Sequence, residues 1–407
     1  MARKAKKSGH KPRLSTQNRV TSVGGSPEVP NRNLMNAVGT RPATEPPLQL
    51  APAAGNVART VVNNRFEVEP GTLGELLNLS GQDPAKIDVA RMNLLCATGL
   101  PTTRGLDVEY AVSVIDEWSG VVAYETDRHL YRIHDPRFKE HYRGSEAHLR
   151  AEMLAQVLHE DLGVRYNPKA VGNFSFADPS VAFIHGMIPA RGKTVADTPG
   201  GTCATMPVLY VAVGRRLGYP LKLSATQSHV FARWDGLDHP VRGWRERFNC
   251  EMTNGFNRFD DAYYRRWPKP LSEADIKRNG LLRSLTPAQE LAMFMAARGH
   301  HGVDIGRFRF ACRSYENACL LDRGRQDYLS WLMTASVECG YRPETPWLRK
   351  LVPAALSGRD AGRVPSAPNP LAGLGLPEHL LDRANPYSMA PPDPMTGQAR
   401  VFGDPMG

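Results

Sequence analysis

The 407-residue sequence lacks any long apolar run and any close pairing of its cysteines. No segment approaches the roughly 20 consecutive apolar residues that a membrane helix needs, so a membrane-spanning protein is not expected. The basic N-terminus is not followed by an apolar segment, which argues against a secretory signal peptide. The six cysteines are widely spaced, as in reduced intracellular proteins rather than disulfide-stapled secreted ones. These absences predict a cytoplasmic protein with no membrane partner.

The positive charge is concentrated in the first 60 residues. They hold ten Lys and Arg residues against two acidic ones, a net charge of +8 out of a total of +10. Residues 1–60 also lack apolar periodicity and are therefore predicted to be a disordered basic tail. Weak contact of residues 1–20 with nucleic acid or an acidic partner is one hypothesis. The near-neutral remainder of the chain argues against nucleic-acid binding as the main activity.

Composition and periodicity divide the rest of the chain into four regions. Helical residues 61–165 precede a mixed region at 166–270, and helices return over 271–345. Asp83-Pro84 and Ser145 are predicted to start helices, and Gly299 is predicted to end one. There the spacing of Ala311, Tyr315 and Ala318 resembles tetratricopeptide packing. Residues 346–407 are rich in proline and are predicted to form a linker-like tail.

Five histidines fall in or between the N-terminal helices, at positions 129, 134, 141, 148 and 159. No i, i+4 pair with a third ligand is apparent among them, so they are predicted to be surface histidines rather than metal ligands. No motif indicates a cofactor either. We therefore expect neither a metal nor a cofactor.

The most informative stretch is Gly200-Gly201-Thr202-Cys203, followed by an apolar segment that ends near Gly218. A helix that is apolar on every side is buried, so Cys203 is expected at the exposed front of a central buried helix. The helix dipole and free backbone N–H groups at that position would favour the thiolate. A cysteine alone is more often a core residue, so its neighbours must decide its role.

Three strands are predicted after this helix, over 221–226, 229–235 and 247–253. A hairpin of the last two strands, centred on Pro240, would place one histidine of the second strand opposite one acid of the third. Such cross-strand neighbours have Cβ atoms roughly 5 Å apart. The strands therefore predict a histidine–carboxylate contact.

That contact would join His229 to Glu251, with Asn249 on the same face as a further orienting group. The carboxylate would hold the imidazole by one nitrogen while the other nitrogen meets Cys203, the arrangement of nucleophile, base and orienter used in covalent catalysis. An oxyanion hole needs the Cys203 N–H and a second donor. For that second donor, His185 and Asn173 are the candidates.

At these residues the sequence resembles the transglutaminase-like superfamily. The shared features are Gly-x-Cys at a helix start, a histidine at a strand start and an acid one strand later. Residues 183–186, 201–210 and 248–253 are similar to a bacterial subgroup of that superfamily. The resemblance covers roughly 65–345, with its specific motifs in about 183–256.

This resemblance implies an α+β fold with a papain-like core, flanked by helical regions. It implies Cys203 as the nucleophile, His229 as the base and Glu251 as the third member of a catalytic triad. The third member is usually Asp in that superfamily, whereas here it is Glu, with Asn249 available on the same face.

Two functions follow as hypotheses. In the first, the triad transfers an acyl group from an amide or ester of a protein or peptide, to water in a hydrolase or to an amine in a transglutaminase. In the second, a catalytically silent domain of this fold serves as a protein-binding scaffold. An aromatic cluster at Phe259, Tyr263, Tyr264 and Trp267 would wall a substrate groove or, more in keeping with aromatic clusters generally, pack the domain against its neighbours.

Overall fold

A computed structural model describes residues 66–79, 84–253 and 255–352. The predicted basic tail at 1–60 lies outside these residues, as does most of the predicted proline-rich tail at 346–407. The start of that tail was predicted wrongly, because Pro346–Leu351 is a helix that buries Leu348. In the described part of the chain, no helix is both long enough and apolar enough to cross a bilayer.

The described residues form many helices and one small antiparallel sheet, which confirms the predicted α+β class. The α-helices are α1 (Leu73–Leu79), α2 (Val89–Ala97), α3 (Val108–His129), α4 (Lys139–Tyr142), α5 (Glu146–Gln156), α6 (Met206–Arg216), α7 (Asp261–Tyr264), α8 (Glu273–Asn279), α9 (Pro287–Asp304), α10 (Phe308–Leu321), α11 (Gln326–Cys339) and α12 (Pro346–Leu351). The strands are β1 (Leu221–Ala225), β2 (Val230–Asp235) and β3 (Arg247–Cys250). A π-helical turn at Val157–Asp161 extends α5, and 3₁₀ turns occupy several of the connections.

Capping residues set most of the helix starts. Ser145 caps α5 by accepting a hydrogen bond from the His148 N–H, as its position before the helix predicts. The helix predicted to start at Pro84 begins later, however. Pro84–Lys86 is a 3₁₀ turn, and α2 starts after Asp88, whose side chain accepts from the Ala90 N–H. Asp88 is the cap in place of Asp83, because the helix that starts after Asp88 buries every residue from Val89 to Ala97.

Gly299 does not end a helix as expected, because α9 continues through it to Asp304. A Cβ built on Gly299 would lie 2.3 Å from the ring of Tyr315 on α10. The glycine therefore allows two helices to pack closely, and this gain outweighs its low helix propensity. The interpretation of Gly299 as a helix stop was wrong.

The sheet has the order β1-β2-β3, and both pairings are antiparallel. The β2–β3 register places Arg233 opposite Asn249, so the hairpin is shifted by two residues from the predicted pairing of His229 with Glu251. A shift of two leaves every side chain on the same face of the sheet. His229 and Glu251 therefore still share a face, as diagonal rather than direct neighbours.

The apolar helix α6 lies at the centre of the molecule, as predicted. It packs against α2, α3, α5 and two strands of the sheet, and nearly all of its residues are buried. One apolar core extends from Leu76 to Val352, so the N-terminal helices, the sheet region and the C-terminal helices share it. A smaller cluster contains Phe231, Tyr264, Leu281 and Leu282.

Two glycines fix the turn that leads into α6. Gly200 has a φ of +98°, and a Cβ there would lie 2.8 Å from the carbonyl oxygen of Arg165. A Cβ on Gly201 would lie 2.4 Å from the sulfur of Met187. Larger residues would push this turn away from its neighbours, so the Gly-Gly pair determines where the following Thr202 and Cys203 lie.

Candidate active site

Cys203 lies in a turn directly before α6. The Thr202 carbonyl accepts hydrogen bonds from the N–H groups of Thr205 and Met206, and the Thr202 hydroxyl donates to the Val181 carbonyl. These bonds hold the turn rigidly at the entrance of the helix. The sequence thus predicted Cys203 correctly at the start of the helix, but the expected exposure was wrong, because only 3% of the residue is exposed.

This burial changes the chemistry expected of the thiol. Burial raises the pKa of Cys203, and the charge of Glu251 raises it further. The Cys203 backbone N–H and a hydrogen bond from the Tyr166 hydroxyl act in the opposite direction but do not compensate. The expectation of a favoured thiolate was therefore wrong for this conformation, because desolvation outweighs the helix terminus.

His229 and Glu251 meet as the sequence predicts. The Nε2–H of His229 donates to Oε2 of Glu251 over 2.6 Å, and both side chains are almost fully buried. His229 lies directly before β2 and Glu251 directly after β3. Because Glu251 engages Nε2, the other ring nitrogen, Nδ1, is the one left to act as a base.

Three further donors fix the Glu251 carboxylate. Oε1 accepts from the Thr253 hydroxyl at 2.6 Å and from the Thr253 N–H at 3.2 Å, and Oε2 also accepts from the Tyr264 hydroxyl at 3.0 Å. Burial by itself raises the pKa of Glu251, but the charge and hydrogen bond of His229, with the hydroxyls of Thr253 and Tyr264, lower it on balance. The result is an ionised, immobilised carboxylate that orients one imidazole.

Tyr166 is a site residue that the sequence did not reveal. It forms an isolated parallel bridge with Gly201, supported by hydrogen bonds from Gly201 N to Arg165 O and from Asn167 N to Gly201 O. Its hydroxyl group is hydrogen-bonded to the backbone N–H and the thiol of Cys203. Desolvation raises the pKa of the phenol, so Tyr166 keeps its proton. The bridge joins segments 35 residues apart, and no local motif signals such a contact.

The remaining predicted site residues lie elsewhere. The Asn249 side chain accepts from Arg233 and donates to Asp261 and the Phe259 carbonyl, whereas the imidazole of His229 is bound by Glu251. Asn249 thus supports a neighbouring network instead of contacting His229 Nε2. Asn173 is exposed, unlike the buried Cys203.

His185 lies on a 3₁₀ turn, Ile184–Met187, that packs beside the Gly200–Gly201 turn. Burial lowers the pKa of His185 to about 4, so its imidazole is neutral near pH 7. Within the described residues, its buried Nδ1 has no hydrogen-bond partner. Its role as an oxyanion donor stays a prediction, since the group found on Cys203 is Tyr166.

Aromatic side chains cover the His229 imidazole. Trp267 meets the ring edge-on at a centroid distance of 4.6 Å, and Tyr264 stacks at 6.0 Å. Tyr264 also stacks on Phe231 at 3.9 Å. The aromatic cluster of the sequence therefore both packs the domain and lines the site, and we call Tyr264 and Trp267 the aromatic cover.

Four of the five histidines expected at the surface have structural partners instead, namely His129, His141, His148 and His159. His159 Nδ1 donates to the Val164 carbonyl, and its Nε2 lies 2.6 Å from the Tyr210 hydroxyl and 2.9 Å from the Met252 carbonyl. This contact ties α6 to the segment next to Glu251. His148 forms an i, i+4 pair with Glu152, and His141 joins them, so the expectation that no such group exists was also wrong.

Cys203, Tyr166, His229 and Glu251 lie close enough to interact electrostatically. A buried imidazole is held by an ionised carboxylate, and the charge of that carboxylate acts on both Cys203 and Tyr166, which places all four side chains in one electrostatic neighbourhood. No protein-family model, curated protein or solved structure matches this chain. The resemblance to the transglutaminase-like superfamily therefore depends on the sequence motifs alone.

Proposed function

We propose that this protein is a cysteine acyl-transfer enzyme of the transglutaminase-like type, with a papain-like core around α6 and the sheet. The observation that carries the proposal is the buried His229–Glu251 pair, whose carboxylate is saturated by Thr253 and Tyr264. Burial of a carboxylate costs free energy. A buried carboxylate that is held by several hydrogen bonds and binds one imidazole is typical of a group that orients a catalytic base.

In this proposal, His229 Nδ1 takes the proton of the Cys203 thiol as the sulfur attacks the carbonyl carbon of an amide or ester. The raised pKa of Cys203 favours proton transfer during attack over a thiolate formed beforehand. The imidazolium then protonates the departing amine or alcohol, leaving a thioester. Water releases the acid in a hydrolase, and an amine forms a new amide in a transglutaminase.

Tyr166 and the Cys203 N–H would stabilise the oxyanion formed during attack. Tyr166 keeps its proton because desolvation raises the pKa of its phenol, and its hydroxyl already lies against Cys203. A protonated donor held in a dry site is well suited to a developing negative charge. This gives Tyr166 the role that the sequence predicted for His185 or Asn173.

Trapping of an acyl group on Cys203 tests the proposal. Incubation of the full chain with p-nitrophenyl acetate, followed by intact mass and peptide mapping, should locate one acetyl group on Cys203. Cys203→Ala should lose the adduct and the ester turnover, whereas Cys339→Ala, which removes a more accessible thiol, should retain both. Acetylation spread over several thiols, or unchanged in Cys203→Ala, would refute the enzyme.

Tyr166→Phe provides a second test at the same site. Loss of one oxyanion donor costs about 10²–10³-fold in rate, so the variant should acylate Cys203 more slowly by that factor. The ring is retained, so the fold and the thermal midpoint should change little. An acylation rate equal to that of the wild type would leave Tyr166 as a packing residue only.

One observation favours the alternative, a silent scaffold. Only 2% of His229 and 3% of Cys203 are exposed, and the aromatic cover lies on the imidazole. A substrate could reach the imidazole only after the cover moves. Absence of any acyl adduct in the wild type with esters and peptides, in a folded protein, would support the scaffold.

A further inference from the structure

Three metal-ligating side chains converge at α4 and α5, on a part of the chain that the proposed acyl transfer does not use. His148 and Glu152 are four residues apart on α5, and His141 comes from α4. The Nε2 of His141 lies 2.7 Å from Oε2 of Glu152, and the Nε2 of His148 lies 3.6 Å from the same oxygen. One ligand atom from each residue lies within 4.8 Å of the other two.

The three contacts are unequal. His141 donates a hydrogen bond to Glu152, whereas the separation between His148 and Glu152 exceeds hydrogen-bond length. The His148 ring is packed among aromatic groups, with Tyr142 and Phe256 centroids each at 5.5 Å. His148 therefore lies beside a carboxylate oxygen that it does not bind.

We propose that His141, His148 and Glu152 form a binding site for a divalent transition-metal ion, with Zn²⁺ as the best match. Two imidazole nitrogens and one carboxylate oxygen form a ligand set that Zn²⁺ favours, and a water molecule would complete four-fold coordination. With bonds of about 2.0–2.1 Å, tetrahedral zinc separates its ligand atoms by about 3.3 Å. That spacing falls between the two separations from the Glu152 oxygen, and the two histidine nitrogens lie within 4.8 Å of each other.

Charged groups around the site have opposing effects on the binding of a metal ion. Arg132 acts on His141 and Arg258 acts on His148, and both cations disfavour a metal ion. The Glu152 carboxylate offsets them, and it already accepts a hydrogen bond from His141. The side chain of His141 is 40% exposed, which gives the ion a route from solvent.

A bound ion would join α4 to α5 beside the sheet. His148 lies next to Phe248 of β3, at a centroid distance of 6.4 Å. Because the ligands come from two helices, an ion that binds the folded chain stabilises it by mass action. Zn²⁺ should therefore raise the thermal midpoint, whereas Mg²⁺, which prefers oxygen ligands, should not.

Titration of the full-length, metal-free protein with Co²⁺ and Zn²⁺ tests the site. We expect one ion per chain, a visible d–d spectrum for Co²⁺ and displacement of Co²⁺ by Zn²⁺. A thiolate-to-cobalt charge-transfer band should be absent, which separates this site from any that uses Cys203 or another cysteine. Glu152→Gln and His141→Ala should each weaken binding by at least about tenfold.

His134→Ala is the matched control, since His134 is an exposed histidine of the same region and should bind metal as the wild type does. His141→Ala changes a side chain that is partly exposed, so loss of the fold should not confuse its result. Equal affinity in all variants, a thiolate band, or no binding by the wild-type protein would each overturn the proposal. In that case the cluster is an ion pair of His141 with Glu152 beside a packed His148. None of these outcomes depends on acyl-transfer activity.

Discussion

Replacement of Glu251 by glutamine should lower the rate of Cys203 acylation by about 10⁴-fold while the chain remains folded. Glutamine retains the shape of the side chain but presents one acceptor and one donor. The Thr253 backbone N–H can only donate, so the amide oxygen should take the position of Oε1. The amide NH₂ then faces His229 Nε2, which must become an acceptor.

This reversal moves the imidazole proton to Nδ1, the nitrogen that should accept the proton of Cys203. Nδ1 then carries a proton and cannot act as the base, although the imidazole has not moved. The rate of acylation by p-nitrophenyl acetate, measured alongside the thermal midpoint and near-UV circular dichroism, checks the prediction. A fall in rate with an intact near-UV spectrum is the expected pattern.

Thr253→Val is the matched control. It removes the hydroxyl donor to Oε1 but leaves the contact between His229 and Glu251. A single hydrogen bond contributes about 1 kcal/mol, so acylation should slow by less than about tenfold. If Glu251→Gln acylates Cys203 as fast as the wild type, Glu251 does not orient the base.

Replacement of Asp88 by alanine should destabilise the protein by about 3–5 kcal/mol. Asp88 and Arg216 form a buried bidentate ion pair, with Nη2–Oδ2 and Nη1–Oδ1 distances of 2.6 and 3.1 Å. Without Asp88, the buried guanidinium keeps hydrogen bonds to Asp116, whose side chain is 44% exposed, and to the Ala212 carbonyl. The cap of α2 is lost as well. Urea unfolding should report the loss.

Two variants separate the contribution of the buried charge from those of the helix cap and the exposed partner. Asp88→Asn keeps an acceptor for the Ala90 N–H but removes the charge, so it should retain the cap and still lose most of the stability. Asp116→Asn, at the exposed partner, should cost at most about 1 kcal/mol. Equal losses in Asp88→Asn and Asp116→Asn would contradict the argument, because burial would then not decide the energy of the pair.

The ion pair matters to the site because of where α6 is anchored. Cys203 lies just before the first residue of α6, and Arg216 is the last residue of that helix. The adjacent Arg215 forms a second bidentate pair with Glu290 of α9, at 2.6 and 2.8 Å. Both anchors fix the position of the helix along its axis, so a stability defect at Asp88 should also loosen the thiol at the other end.

The sequence by itself determined the features that depend on local chemistry. Caps such as Ser145 placed helix starts, and continuous apolar character predicted that α6 is buried. The alternation of side chains along a strand kept His229 and Glu251 on one face even though the register differed by two residues. These signals repeat over a few residues, so they can be read without knowing the fold.

The tertiary structure alone decided the properties that depend on distant segments. Desolvation raised the pKa of Cys203 against the effect of the helix terminus, and no residue near position 203 in the sequence predicts this desolvation. Tyr166 reached Cys203 through its bridge to Gly201, and His141 reached Glu152 from another helix. Burial and contacts between distant segments depend on the whole fold, which is why local patterns could not predict them.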